Sequence, residues 1–340
     1  MENDTKIPKE QLRIAYAEIL RGCSSIELKE FGTIQLKHLT VFDTELIDEK
    51  RENNFTLAKK RGLPTQEEKL EELASENLWT KDQEKKIAEL EDFISRLNET
   101  KSKMILKSES EKITKEIQDT EEKVKNMRQE RDEMIGITCE SFSEKKANDY
   151  YIYLSLFKDK EFSDPFFTEE EFDELNDEKL TYIIISFNKV SKRFSQINLK
   201  RIALSGFFLN NFYLCKENPF TFYGQPVVNL TFNQSDLFAY GRYFKSILSD
   251  LKSSPPPDVM EDPDKLLEQY HLEQNKEKIL GDGASKSGTA TTLVGATKED
   301  MEALGLSSED SDGEVINLDD AVKESGGTLS MDDLIKLHGA

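Results

Sequence analysis

The chain has 340 residues, a formal net charge of −21, 36% hydrophobic residues and 33% charged residues. That apolar share is too small for one large core along the whole length, so part of the chain is expected as solvated helix or as sequence without a packed interior. The negative charge disfavours binding to phosphate backbones, and no apolar run nears the roughly 18 residues of a membrane span.

From the start of the chain, residues 1–10 are charged and carry no apolar stretch, so no signal peptide is expected. Residues 1–64 are expected as a small helical unit. Leu12, Tyr16, Ile19 and Leu20 lie on one helical face, and Gly22 stops that helix. Ile34 and Leu36 alternate after Gly32 and predict a short strand. A second helix is predicted over 41–60, closed by Gly62 and Pro64.

Residues 65–136 read as a coiled-coil hairpin. Thr65 with Glu68, Thr80 with Gln83 and Ser108 with Glu111 have the spacing of helix-starting capping boxes. One heptad seam runs through Ile87, Leu90, Ile94, Leu97 and Met104, and a second through Ile113, Ile117, Val124, Met127 and Met134. The two are out of phase across the Ser108 box, which predicts antiparallel helices over about 81–105 and 109–135. The alternative is one long helix with a stutter. Trp79 is expected to staple the base of the hairpin, which would serve as an internal strut or as a docking arm.

Residues 137–252 form an aromatic-rich helical domain. Residues 142–244 hold 24 of the 31 aromatic side chains, enough for a compact core. Thr168 and Glu171 open a short helix, and 180–194 and 197–214 read as two main apolar helices. Asn218-Pro219 marks a turn, Phe222 to Pro226 a tight loop, and 237–251 a last core helix. Beyond Pro255-Pro-Pro257 the folded part is expected to end. Residues 253–340 are then an acidic, flexible tail, with three stretches, at 264–280, 298–304 and 331–337, able to become helical on contact. The fold class is therefore mainly α: a helical domain with an antiparallel coiled-coil hairpin and a disordered acidic tail.

Little in the sequence points to catalysis. His38, His271 and His338 fall in three separate segments, and no histidine lies in the aromatic domain. The three cysteines, Cys23, Cys139 and Cys215, have no zinc spacing and no disulfide-framework pattern, and fit reduced thiols. There is no phosphate-binding glycine motif. No cofactor, metal or nucleic acid is expected. Lys192-Arg193, Lys200-Arg201, Arg242 and Lys245 lie among aromatics, where they could grip a nucleic acid, but read better as charges extending from core-facing helices.

The stretches Ile202-Ala-Leu-Ser-Gly-Phe-Phe-Leu-Asn210, Asn218-Pro-Phe-Thr-Phe-Tyr-Gly-Gln-Pro226, and Leu230-Thr-Phe with Tyr240-Gly-Arg-Tyr-Phe-Lys245 carry a resemblance. Together with Lys60-Arg-Gly-Leu-Pro-Thr65 and Leu78-Trp-Thr80, they resemble proteins encoded in virion-morphogenesis regions of tailed bacteriophages. The resemblance implies a non-enzymatic virion assembly or structural protein, with a tail assembly chaperone as one form. It would act by protein contacts in the host cytoplasm or on the particle, with oligomerisation open. A cellular coiled-coil adaptor is the alternative, and a hydrolase using carboxylates the third. Partner contact is assigned to Phe220, Phe222, Tyr223, Arg242 and Tyr243, since aromatic and arginine side chains are common interface anchors. The competing reading has Phe222 and Tyr223 plug the end of the helix bundle.

Overall fold

A computed structural model describes residues 6–104 and 106–284, with side chains 102, 103 and 275–284 left aside. The chain is mainly α-helical, and it divides into two compact units, one of residues 1–80 with 132–267 and one that includes residues 81–131. The expected helices at 298–304 and 331–337 lie outside the described residues.

In the first unit, α1 (Lys9–Arg21) buries Leu12, Ala15, Tyr16 and Ile19. Leu20, expected on that face, is exposed. Gly22 ends the helix at φ +69°, a left-handed conformation that costs glycine no side-chain clash. The strand expected around Ile34 is half of an antiparallel hairpin, β1 (Cys23–Leu28) and β2 (Gly32–Lys37), with Ile26 opposite Ile34. β1 was not anticipated, although Ile26 and Leu28 alternate as Ile34 and Leu36 do, because the two leading serines mask the pattern. Helix α2 (Val41–Lys60) follows, its first turn tied by the Asp43 carboxylate, which accepts from Thr40 N–H at 2.8 Å and from Lys37 Nζ at 2.7 Å. Helix α3 (Gln66–Ser75) has the reciprocal Thr65–Glu68 box that its sequence predicts.

The second unit contains α4 (Lys81–Lys103) and most of α5 (Lys107–Ile135). Arg128 pairs with Glu91, and Arg131 Nη1 lies 3.6 Å from Glu84. Partners that step up one helix as they step down the other make the helices antiparallel, so the single-helix alternative is excluded. Ile87, Ile117, Thr120 and Val124 are buried along the seam. Two details differ from expectation. Ser108 sits in the first turn of α5, whose start is marked by Ser110 N–H donating to the Leu106 carbonyl at 3.1 Å. Met134 is exposed, and Ile135 is buried instead.

The first unit resumes with α6 (Cys139–Ser155), which packs along α2, and with β3 (Leu156–Phe157), which pairs with β2 to give the sheet order β1-β2-β3. Residues 1–64 and 137–252, far apart in sequence, therefore share one sheet and one core. Leu28, Ile34 and Leu36 from the sheet pack with Ile152, Leu156, Phe172 and Ile183. The last two sit on α7 (Glu169–Asp173) and α8 (Asp177–Ser191).

The helix expected over 197–214 is two helices, α9 (Gln196–Leu204) and α10 (Gly206–Leu214). Ser205 adopts an extended ψ of 139° and its hydroxyl donates to the Arg201 carbonyl at 2.8 Å. A serine followed by glycine is a weak point for helix propagation. Part of the expected loop is also helical: Pro219 and the Asn218 side-chain cap start α11 (Pro219–Tyr223), and Gly224 ends it at φ +71°. Helix α12 (Phe232–Asp250) begins five residues earlier than the sequence reading has it, at a Thr231–Gln234 capping box.

Regular structure continues past Pro255-Pro-Pro257 into α13 (Pro257–Met260) and α14 (Pro263–Ala284). Leu266 is fully buried, and Lys6 pairs with Asp262 at 3.2 Å. The expected stop at the prolines fails because proline is well suited to the first turn of a helix as well as to its end.

Candidate partner-binding surface

Two places in the first unit combine polar chemistry with defined geometry. The first is interior. His38 Nε2 lies 2.9 Å from Ser24 Oγ, Ser24 donates to Glu18 Oε2 at 3.1 Å, and Arg193 Nη1 donates to Glu18 Oε1 at 3.0 Å. Ser24 has a single hydroxyl proton, and Glu18 receives it. His38 Nε2 must then carry the ring proton and donate to Ser24, leaving Nδ1 as a bare acceptor. Nδ1 is buried without a hydrogen-bond partner, and the ring meets Phe194 edge-on at 4.7 Å. Burial first, and then the Arg193 charge, pushes the His38 pKa down to about 4. Burial raises the Glu18 carboxyl, and Arg193 opposes that shift.

A serine beside a histidine invites comparison with a nucleophile and its base. The roles do not fit. Ser24 is 1% exposed, its proton faces a carboxylate rather than the ring, and no group orients His38 through Nδ1. This cluster joins α1, β1, the residue after β2 and the turn after α8, and its chemistry is structural.

The second place is a surface formed by α10, α11 and α12. Its interior is aromatic. Phe208 and Phe212 stack at 5.3 Å, and Phe222 packs on Phe208, Phe212 and Phe238 at 5.5 to 6.4 Å. Tyr223 donates its hydroxyl to the Gln234 carbonyl at 2.9 Å, and burial raises its phenol pKa. The Gln234 amide in turn donates to the Ile19 carbonyl at 2.9 Å, which also accepts from Gly22 N–H at 3.1 Å, and so ties α12 to the end of α1. Phe222 and Tyr223 thus plug the bundle end.

Around this plug the surface is apolar and cationic. Leu214 is 81% exposed and Phe220 58% exposed, with Tyr213 and Tyr243 each nearly half exposed. Between Leu214 and Phe220, Lys216 and Glu217 adopt φ of +52° and +57°. Two consecutive non-glycine residues in the left-handed region cost roughly 1–2 kcal/mol each. Cations of α12 hold them there: Arg242 Nη2 donates to the Glu217 carbonyl at 3.2 Å, and Lys245 pairs with the Glu217 carboxylate. Arg242 also lies 5.2 Å from the Phe238 ring centroid, and Lys245 5.8 Å from that of Tyr213.

Of the five residues assigned to partner contact, Phe220, Arg242 and Tyr243 are therefore at the surface, and Phe222 and Tyr223 are mostly inside. Tyr213, Leu214 and Lys216 were missed. A readable signal existed, since a helix ending in Tyr-Leu just before a polar Lys-Glu-Asn-Pro turn has no further turn to cover its last apolar residue.

A second apolar patch joins Val41, Phe42 and Phe232, where Phe232 N–H donates to the Leu39 carbonyl at 3.1 Å. The charge pair beside it, Lys37 with Asp43, is largely buried and leaves no exposed cation at its edge. Among the described residues no helix is long and apolar enough to cross a membrane, and no group of three or more His, Cys, Asp or Glu could hold a metal ion. Comparison of the chain with protein-family models, with curated proteins and with solved structures found no match.

Proposed function

We propose that this chain is a non-enzymatic binding protein that recognises another protein through the α10–α12 surface. The observation that carries this reading is the held turn at Lys216 and Glu217. Backbone strain of this kind persists where the surroundings over-determine it, and it is common at binding sites. Here it fixes Leu214 and Phe220 in place, so that little conformational freedom remains to be lost on binding. Exposed leucine and aromatic side chains beside an arginine are the composition of an interface core.

The resemblance to virion-morphogenesis proteins of tailed bacteriophages supports assembly as the setting. The partner is then a virion or tail component, met in the host cytoplasm or on the particle, and a tail assembly chaperone is one form of that role. The hairpin supplies reach, about 1.5 Å per residue along each arm.

The test compares capture of partners from phage-producing cells by the wild-type chain, by Leu214→Ser with Phe220→Ser, and by a chain with its exposed hairpin charges neutralised. The proposal expects the double variant, folded to the same melting temperature, to lose a virion protein that the hairpin variant keeps. Loss by the hairpin variant alone would favour the cellular coiled-coil adaptor. Turnover of a carboxylate-dependent substrate by the purified chain would favour the hydrolase.

A further inference from the structure

The α10–α12 surface lies in a part of the chain whose charge is opposite to that of the whole. Residues 189–245 contain eight lysines and arginines and only two carboxylates, Glu217 and Asp236, within a chain of net charge −21. One of those carboxylates, Glu217, is taken up by Lys245, and its carbonyl by Arg242. Lys216 and Arg242 are exposed beside Leu214 and Phe220. Of the eight cations, Arg193 is taken up by Glu18 and Arg201 by the Ile7 carbonyl, and Lys216 and Arg242 are the two that flank the apolar residues, on a chain that is acidic overall.

From this juxtaposition we infer that the partner of the α10–α12 surface is an acidic protein segment carrying aliphatic or aromatic anchors. The inference rests on the proposed recognition role and names the class of partner. Its physical basis is complementarity in two terms. Leu214, Phe220, Tyr213 and Tyr243 take the anchors out of water, in proportion to the apolar area covered. Lys216 and Arg242 select carboxylates flanking the anchors and repel a basic rival, a contribution to specificity and association rate that weakens with salt. The wide negative field of the chain limits non-specific capture of other anions, so the short-range apolar fit is needed to hold an acidic segment. A nucleic acid matches the surface less well. It would find few phosphate-reaching cations, against a chain that repels its backbone, and an aliphatic Leu214 at the most exposed position.

The experiment uses the full chain and four fluorescent probes followed by anisotropy at low and at physiological salt. They are a twenty-residue glutamate-rich peptide with leucines at helical spacing, the same peptide with lysines for glutamates, the glutamate peptide with serines for leucines, and a single-stranded oligothymidylate. The expected result is that the glutamate–leucine peptide binds, that physiological salt weakens it severalfold, and that the lysine and serine versions bind at least tenfold more weakly. Leu214→Ser is expected to reduce its affinity at least tenfold. Lys216→Asn, which removes a charge at a position whose backbone asparagine tolerates, is expected to reduce it severalfold without lowering the melting temperature. Arg242→Gln serves as a second charge variant, and its melting temperature reports any loosening of the turn.

Equal binding of the lysine and glutamate peptides, both abolished by Leu214→Ser, would overturn the acidic class and leave recognition by this surface standing. Failure of every peptide, or peptide binding indifferent to Leu214→Ser, would overturn both. Binding of the oligothymidylate that competes with the peptide and is lost in Lys216→Asn would replace the acidic protein by a nucleic acid.

Discussion

The hairpin of α4 and α5 and the aromatic bundle around α10 and α12 solve the same problem in opposite ways. The hairpin repeats a small contact many times, with one or two apolar residues per helical turn and ion pairs across the arms. The bundle concentrates its burial in a few large rings, and it needs shape as well as polarity. Gly241 shows this most clearly. A Cβ there would lie 2.8 Å from Phe208 and 3.0 Å from Phe212, so α12 can approach the rings only because position 241 has no side chain. With its burial spread over many small contacts, the hairpin is expected to lose less from one substitution than the bundle, which depends on single residues such as Gly241. That rigidity lets the bundle present a strained turn and uncovered apolar side chains at its surface.

The contrast is broken most severely from inside the bundle. Phe208→Ala removes a fully buried ring and is expected to lower stability by about 3–5 kcal/mol. Denaturant unfolding measures this directly, and a loss below 1 kcal/mol would mean that the rings are not packed as described. Leu266→Ala, beyond the prolines, tests how far the first unit extends. It is expected to cost about 2–5 kcal/mol if α14 belongs to the core, and near zero if the folded part stops at residue 257.

Acid offers a reversible perturbation of the same unit. His38 has a pKa of about 4 in the folded chain against an ordinary 6.5. Above 6.5 the ring is neutral in both states and no dependence arises. As pH falls from 6.5 to 4, the unfolded chain binds a proton that the folded chain refuses. Stability should then fall by about 1.4 kcal/mol per pH unit, about 3 kcal/mol in all. Glu18 works in the other direction: its raised pKa makes the folded chain bind a proton first, which adds stability as pH falls. Melting curves of wild type and His38→Gln between pH 7 and pH 4 isolate the histidine, since the variant keeps the contributions of Glu18 and the other carboxylates and loses that of the ring. Parallel curves would show that His38 is not buried as a neutral ring.

The smallest expected effect is in the hairpin. Thr120 is buried in the seam and its hydroxyl donates to the Glu116 carbonyl of its own helix at 2.7 Å. Thr120→Val keeps the volume and removes the hydroxyl, and should raise the hairpin's unfolding midpoint by the equivalent of about 1 kcal/mol or less.

The two regions also differed in how far they could be read from sequence. The hairpin was legible because heptad spacing reports one contact surface that the segment itself supplies. Even the break in phase near residue 106 was visible. Ile135 taking the place expected for Met134 was not, because a heptad does not say where its segment hands over to another core. In the first unit, capping boxes at Thr65 and Thr168 marked helix starts correctly, and the unnoticed Thr231–Gln234 box would have placed α12. The β1 strand and the pairing of β2 with β3 were not legible. The β2–β3 pairing depends on partners more than a hundred residues apart, which no local pattern encodes, whereas β1 pairs locally with β2 but shows only Ile26 and Leu28 beside polar neighbours. At the candidate surface the composition pointed to residues 220–223 and 242–243 as a group. Only the packing divides them into a plug, Phe222 and Tyr223, and an exposed set that also includes Tyr213 and Leu214.

The central claim is that recognition belongs to the rigid α10–α12 surface and not to the hairpin. Hydrogen–deuterium exchange of the full chain, alone and with its captured partner, tests it most directly. The account predicts that binding adds protection in residues 213–224 and 240–246 while exchange along residues 81–131 is unchanged. Protection confined to residues 81–131 would contradict it and move the binding site to the hairpin.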